Sequence, residues 1–146
     1  MFSRLLLATG LLLSTLGCSK KDFPPIPPPA LEGSWNYTQE VTTTNPGAGA
    51  ATYQTTRAYP LDNTRSARYL TFTSTTQQVF YGDGTALSAV VSFTRAGNTL
   101  NYLTPSSPPP PVQITQLTAT ELTLLYTTEG LLQGSYSNVE AHYTRR

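Results

Sequence analysis

Over residues 33–145 the chain alternates between apolar and polar side chains in short runs, which Gly, Asn, Asp and Pro separate. Successive side chains of a β-strand point to opposite faces of a sheet, so this period of two predicts half-buried strands. One face of the first strand is predicted to carry Trp35, Tyr37, Gln39 and Val41. Further strands are predicted at residues 52–59, 68–73, 78–81, 85–94, 99–103, 112–117, 121–127 and 137–145. No run keeps a 3.6-residue apolar period, so at most one short helical turn is expected.

The connections between these strands suggest an antiparallel fold. Gly82-Asp83-Gly84 is predicted to form a hairpin turn between strands 78–81 and 85–94, since glycine supplies positive φ. The strand at 85–94 is expected to turn Leu87, Ala89, Val91 and Phe93 to one face. Residues 104–111 are rich in proline and are predicted to form a long loop. Eight or nine antiparallel strands in a domain of this size indicate a meander barrel or a β-sandwich.

The composition narrows the classes of function. The chain has one cysteine and one histidine, so neither an intramolecular disulfide nor a multi-histidine metal site is expected. Only 12% of the residues are charged and the net charge is +1, without the basic stripe that marks nucleic-acid binding. The length allows one ordinary domain after the N-terminal segment.

The N-terminal segment has the layout of a targeting sequence. Arg4 precedes an apolar run at residues 5–16, and Gly17 and Cys18 follow it. This order is typical of a secretory signal peptide, and the run is shorter than the ~20 apolar residues of a membrane-spanning helix. Residues 1–17 are therefore predicted to be a signal peptide.

The end of that segment, Leu16-Gly17-Cys18, resembles the lipobox of bacterial lipoproteins. In that family a diacylglyceryl group is attached to the cysteine, and a dedicated peptidase cuts just before it. The resemblance implies a covalent lipid on Cys18, no other cofactor, and a membrane as partner. Ser19, in place of Asp, resembles the signal for the outer membrane and leaves the leaflet open. The alternative is that Cys18 is an ordinary apolar residue of a discarded targeting helix.

Residues 18–30 are predicted to be a lipidated, proline-rich tether. Prolines remove backbone donors and fix φ, so this segment is expected in an extended polyproline II conformation of ~3.1 Å per residue. Residues 31–146 would then form the domain held away from the membrane.

The start of the domain, Leu31-Glu32-Gly33-Ser34-Trp35, resembles the Leu-x-Gly-x-Trp opening of lipocalin-like domains. Segments 97–100, 112–117 and 121–124 also resemble bacterial lipocalin-like lipoproteins. The resemblance implies an up-and-down barrel of about eight strands, with a β-sandwich as the alternative. It further implies that Gly33 permits closure of the barrel base, that Trp35 plugs it, and that Arg145 or Arg146 packs over the Trp.

Candidate catalytic chemistry is sparse, and an enzyme is not expected. His142 is predicted to face solvent together with Glu140, and no Gly-x-Ser-x-Gly nucleophile elbow exists. Asp83 lacks the carboxylate spacing of a calcium loop, so a hairpin turn explains it better. The remaining acidic residues are dispersed.

Two functions are open from the sequence. The first is a tethered protein that binds a small hydrophobic or amphipathic ligand in the barrel mouth. The second is a non-binding envelope component, with a filled barrel and a protein partner. Residues expected to contact a ligand or to form the barrel lip are Tyr37, Tyr81, Phe93, Tyr102, Tyr126, Leu131 and Leu132. A basic group of Arg57, Arg65 and Arg68 suits an anionic head group, a polysaccharide, or simply solvent.

Overall fold

The structure, a computed structural model, describes residues 29–104, 108–130 and 132–146. The predicted signal peptide, Cys18, the tether up to residue 28 and Leu131 lie outside the described residues. The regular structure of the described part consists of β-strands, which confirms the all-β prediction. The strands are β1 (Gly33–Asn45), β2 (Tyr53–Ala58), β3 (Arg68–Phe72), β4 (Thr76–Tyr81), β5 (Val91–Ala96), β6 (Thr99–Leu103), β7 (Val112–Leu117), β8 (Glu121–Glu129) and β9 (Tyr136–Arg145).

The strands form one closed antiparallel sheet. Neighbouring strands from β3 to β9 pair in chain order, and β9 pairs with β1 to close the ring. Strand β1 also pairs with β3, so β1 and β3–β9 make an eight-stranded up-and-down barrel. This closure confirms the meander barrel and excludes the sandwich alternative, which would need two separate sheets.

Strand β2 is an additional strand and is not one of the eight that form the barrel. The first residues of β1, Gly33–Asn36, pair with β3, whereas residues 39–44 pair with β2. All six residues of β2 are exposed. The hairpin of β1 and β2 therefore extends beyond the part of β1 that pairs with β3.

The two ends of the barrel differ in how they are filled. We call the end where β1 begins and β9 ends the base, and the opposite end the mouth. The base is packed around Trp35, which is fully buried and whose Nε1 donates a hydrogen bond to the Leu31 carbonyl at 2.8 Å. Buried residues of the core cluster include Leu31, Trp35, Leu70, Phe72, Phe93, Leu100, Ile114, Leu122 and Leu124. Burial of this apolar surface is the main term that stabilises the barrel.

A β-bulge in β1 reverses which side chains face the interior. Tyr37 pairs with Tyr143, but the next pair along the strands is Gln39 with His142, so Thr38 is the extra residue. An extra residue shifts a period of two by one position. Beyond it Glu40 pairs with Ala141, which is buried. The prediction that Gln39 and Val41 share the face of Trp35 and Tyr37 is therefore wrong.

The predicted strand at 85–94 is also shorter and displaced. Strand β5 begins only at Val91, and residues 82–90 form a loop at the mouth with a single bridge between Phe80 and Ala86. The backbone leaves the ladder because the Ser88 side chain takes the place of a backbone partner: its Oγ accepts a hydrogen bond from the Val79 N–H at 3.1 Å. Leu87 and Ala89 are consequently exposed, and of the four residues predicted to share a face only Phe93 is fully buried.

Candidate functional site

An open cavity of about 440 Å³ lies at the mouth of the barrel, above the packed base. Its volume falls within the ~300–1,000 Å³ range of small-molecule sites. The apolar and aromatic side chains that line it include Leu70, Val79, Leu87, Val139, Tyr37, Tyr126 and Tyr143. The polar side chains are Glu40, Arg68, Gln77 and Ser88. Small-molecule pockets commonly combine a mostly apolar wall with a few polar groups in this way.

The alternation of inward and outward side chains along β3 and β4 determines which residues form the cavity wall. Along β3 the inward positions are Arg68, Leu70 and Phe72, and the deepest of them, Phe72, belongs to the packed base. Across the β3–β4 ladder Leu70 pairs with Val79, and residues paired across an antiparallel ladder share a face. Strands β3 and β4 thus present apolar residues in the middle of the barrel and place Arg68 nearer the rim.

Glu40 carries the carboxylate of this site, and hydroxyl groups hold it in place. Tyr37 Oη donates a hydrogen bond to Glu40 Oε2 at 2.7 Å, and Tyr59 Oη donates to the same oxygen at 3.3 Å. Thr42 Oγ1 donates to Glu40 Oε1 at 3.3 Å. The Tyr37 ring stacks on Tyr59 at 4.3 Å and on Tyr143 at 4.8 Å. Glu40 is not among the site residues predicted from the sequence, because its inward position depends on the bulge.

The tyrosines of the mouth are held in the neutral form. Burial raises the pKa of Tyr37, and the hydrogen bond and negative charge of Glu40 raise it further. Burial likewise raises the pKa of Tyr143 well above its ordinary value, with additional contributions from Tyr126 and Tyr37. Phenols that keep their protons act as hydrogen-bond donors and acceptors rather than as bases.

Arg68 is the cation of the cavity, and its Nε is buried without a hydrogen-bond partner among the described residues. Its guanidinium lies 5.5 Å from the centre of the Tyr59 ring, and that of Arg57 lies 4.9 Å from the same ring. Arg65 is different, since its Nε contacts Asp83 Oδ2 at 3.2 Å. Within the predicted basic group, Arg65 is therefore paired with an acid, whereas Arg57 and Arg68 share the ring of Tyr59 and form no ion pair within the described residues.

The residues that sequence analysis expected to contact a ligand are not all brought together. Tyr37 and Tyr126 line the cavity. Tyr102 lies beside it, where its hydroxyl donates a hydrogen bond to Gln77 Oε1. Phe93 is buried in the core, and Tyr81 lies under the guanidinium of Arg65; neither lines the cavity. Leu132 is 62% exposed in the turn at residues 132–135, apart from the cavity wall.

The residues expected at the base form a compact group. Gly33 has a φ of +120°, and a Cβ there would approach Arg145 Nη1 to 2.9 Å. The Arg145 guanidinium lies 4.4 Å from the Trp35 ring, and its Nη1 donates a hydrogen bond to the Glu32 carbonyl at 2.8 Å. Arg146 instead lies over Tyr69 at 3.9 Å. Of the two arginines considered from the sequence, Arg145 is the one over Trp35.

The possible catalytic residues lie away from the cavity. His142 is half-buried on the side of β9 opposite Ala141 and Tyr143, with Nδ1 at 3.3 Å from Thr123 Oγ1. Asp83 accepts a hydrogen bond from the Thr85 N–H at 2.8 Å, and this bond lowers the pKa of the carboxyl. Asp83 is a turn residue, as predicted, but the predicted second strand of that hairpin does not begin until Val91.

Within residues 29–104, 108–130 and 132–146 no group of three or more His, Cys, Asp or Glu is placed to hold a metal ion. The same part of the chain contains no helix that is long and apolar enough to span a membrane. No protein-family model matches the chain, and no curated protein matches its sequence.

Proposed function

We propose that this protein is a membrane-anchored envelope lipoprotein whose barrel mouth binds a small amphipathic molecule. The observation that carries this proposal is the cavity of about 440 Å³ at the mouth, with apolar walls and few polar groups. The fold alone would not support it, because barrels of this kind serve many functions. The packed base limits the ligand to one that occupies only the outer part of the barrel.

The wall of the cavity explains why an amphipathic ligand is preferred to a purely apolar one. Leu70, Val79 and Leu87 offer apolar surface to a hydrocarbon group. Arg68 offers a donor that a purely apolar ligand would leave without a partner. A molecule with one polar end and one apolar end satisfies both parts of the wall.

The ligand site is tested with the full chain carrying Cys18→Ala, which avoids lipid and detergent. The apolar fluorescent probe N-phenyl-1-naphthylamine is expected to bind saturably, with one probe per chain. Leu87→Trp places a larger side chain at the cavity wall from a position that is 37% exposed. Val90→Trp, in the same loop and 58% exposed, does not line the cavity and is the matched control.

Leu87→Trp is expected to weaken probe binding about tenfold, because the indole fills space that the probe needs. Val90→Trp is expected to leave binding unchanged. Absence of saturable binding, or equal effects of the two variants, would contradict the proposed ligand site and favour the side-chain-filled barrel.

The membrane anchor is a separate part of the proposal and has its own test. Its support is the lipobox-like sequence at residues 16–18 and the proline-rich tether after it. Cys18→Ala is expected to abolish the incorporation of radiolabelled palmitate, since the thiol is the predicted site of the acyl chains. Ser19→Ala, which keeps the thiol, is the control and is expected to incorporate the label as the parent does. A Cys18→Ala chain that still incorporates the label would refute the anchor.

A further inference from the structure

We infer that the ligand carries an anionic head group, a carboxylate or a phosphate monoester, and that Arg68 selects it with help from Arg57 at the rim. This inference rests on the proposed function, because it names the chemical class of the ligand in the mouth cavity. It also gives a role to two of the three arginines that the sequence groups together.

The first support is the state of Arg68. It lies on the inward face of β3, lines the cavity, and has a buried Nε without a hydrogen-bond partner among the described residues. A buried donor left without an acceptor is costly, and such groups in folded proteins normally have partners. After a rotation of the Arg68 side chain toward the cavity, an oxygen of a bound head group would supply the acceptor that the described residues do not.

The second support is the balance of charge at the mouth. Asp83 is engaged by Arg65, and Asp62 Oδ1 accepts hydrogen bonds from the N–H and hydroxyl of Thr64. Glu40 has both carboxylate oxygens occupied by hydroxyl donors. No ion pair joins Arg57 or Arg68 to an acid within the described residues. The hydroxyls that donate to Glu40 are neutral and leave its charge in place, but they occupy its oxygens as acceptors. The charged group of the cavity with a donor left for a ligand is therefore the cation Arg68.

The third support is the chemistry of the guanidinium. Arginine presents its N–H donors in a planar fork that matches a carboxylate or phosphate, and such charge-assisted hydrogen bonds are stronger than neutral ones. Leu70 and Val79 lie on the inner side of the cavity, deeper than Arg68 along the inward faces of β3 and β4. A ligand with its head at Arg68 would thus extend its hydrocarbon chain toward these residues.

The test compares four dodecyl probes that differ only in their head groups, as competitors of N-phenyl-1-naphthylamine on the Cys18→Ala chain. Dodecanoate and dodecyl phosphate are anionic, dodecanol is neutral and dodecylammonium is cationic. At least one anionic probe is expected to bind about tenfold more tightly than dodecanol, as a charge-assisted hydrogen bond predicts. The tighter of the two anionic probes identifies the carboxylate or the phosphate monoester as the head group.

The variants assign this selectivity to a residue. Arg68→Gln is expected to remove the preference for the anionic probe, so that the anionic probe and dodecanol compete with equal affinity. Arg57→Gln, at an exposed position of β2, is expected to reduce the preference about threefold. Arg95→Gln removes an equal charge from an exposed arginine beside the Gly97 turn, outside the cavity lining, and is expected to have no effect.

The outcomes separate this inference from the proposed function. If no probe binds, the proposed function fails and the inference fails with it. If dodecanol binds as tightly as both anionic probes, or dodecylammonium binds more tightly, the ligand site stands and the anionic head group is refuted. An anionic preference that survives in both Arg68→Gln and Arg57→Gln would refute the roles of these arginines.

Discussion

Replacement of Arg145 by alanine is the most direct perturbation of the barrel base. The Arg145 side chain covers the Trp35 ring at 4.4 Å and donates a hydrogen bond to the Glu32 carbonyl at 2.8 Å. It thereby joins the end of β9 to the residues that precede β1. Arg145→Ala removes both contacts and leaves the packing of Trp35 against the core cluster unchanged.

The expected magnitude follows from these two contacts. One hydrogen bond contributes about 1 kcal/mol to the free energy of unfolding. A cation–π contact at an exposed position contributes about 0.5–1 kcal/mol. Arg145→Ala is therefore expected to lower the free energy of unfolding by about 1.5–2 kcal/mol. The matched control Arg146→Ala loses only the contact with Tyr69 and keeps its backbone hydrogen bond to Ser34, so about 0.5–1 kcal/mol is expected.

Urea unfolding measures this difference with a reporter at the site itself. Trp35 is the only tryptophan of the chain, and it is fully buried, so its fluorescence reports unfolding at the base. Midpoints and slopes for the two variants give the two free energies by linear extrapolation. If Arg145→Ala costs no more than Arg146→Ala, the argument that Arg145 fastens the base is wrong.

Three further predictions concern the base, the core and the mouth. Gly33→Ala is expected to lower the free energy of unfolding by about 1–3 kcal/mol, because φ is +120° and a Cβ would crowd Arg145. Urea unfolding measures this loss. Leu122→Ala is expected to lower the free energy of unfolding, measured by calorimetry, by about 2–5 kcal/mol, because Leu122 is 0% exposed. Leu103→Ala is the control and is expected to have little effect, because Leu103 is 57% exposed. The raised pKa of Tyr37 means that the folded state keeps this proton at a pH where the unfolded state loses it. The contribution of Tyr37 to the free energy of unfolding is therefore constant below about pH 10 and decreases above it. Tyr37→Phe is expected to reduce the slope of that decrease by about 1.4 kcal/mol per pH unit.

Each of these predictions has a result that contradicts it. A Gly33→Ala chain as stable as the parent would show that the backbone at this position is not strained for alanine. Equal losses of unfolding free energy for Leu122→Ala and Leu103→Ala would show that Leu122 is not a core residue. Parallel stability curves for Tyr37→Phe and the parent between about pH 10 and 12 would show that Tyr37 ionises equally in the folded and unfolded states.

The strand pattern and the barrel were predictable because both follow from the apolar period of two. The alternation in residues 112–117 and 121–127 predicted β7 and β8 closely, since inward residues such as Leu122 and Leu124 are buried. The strand at 85–94 was not predictable in the same way. Its alternation of Leu87 and Ala89 has the period of a strand, but the Ser88 hydroxyl bonds the Val79 N–H and diverts the chain into a loop.

The mouth was less predictable than the base. The Gly33–Trp35 opening is a local motif, and only its partner Arg145 had to be found at the other end of the chain. The position of Glu40, in contrast, depends on one extra residue at Thr38, for which the sequence carries no turn or glycine signal. The separation of Arg65 from Arg68 depends on Asp83, which approaches only when loops 61–67 and 82–90 meet.

The most direct test of a ligand site in the barrel mouth is an NMR titration of the ¹⁵N-labelled Cys18→Ala chain with dodecanoate. The account predicts saturable shifts at one ligand per chain, concentrated on the amides of Arg68, Leu70, Val79 and Leu87. The amides around Trp35 at the packed base are predicted to stay unchanged. Shifts that do not saturate, or that spread over the outer surface and leave the mouth unaffected, would contradict the account.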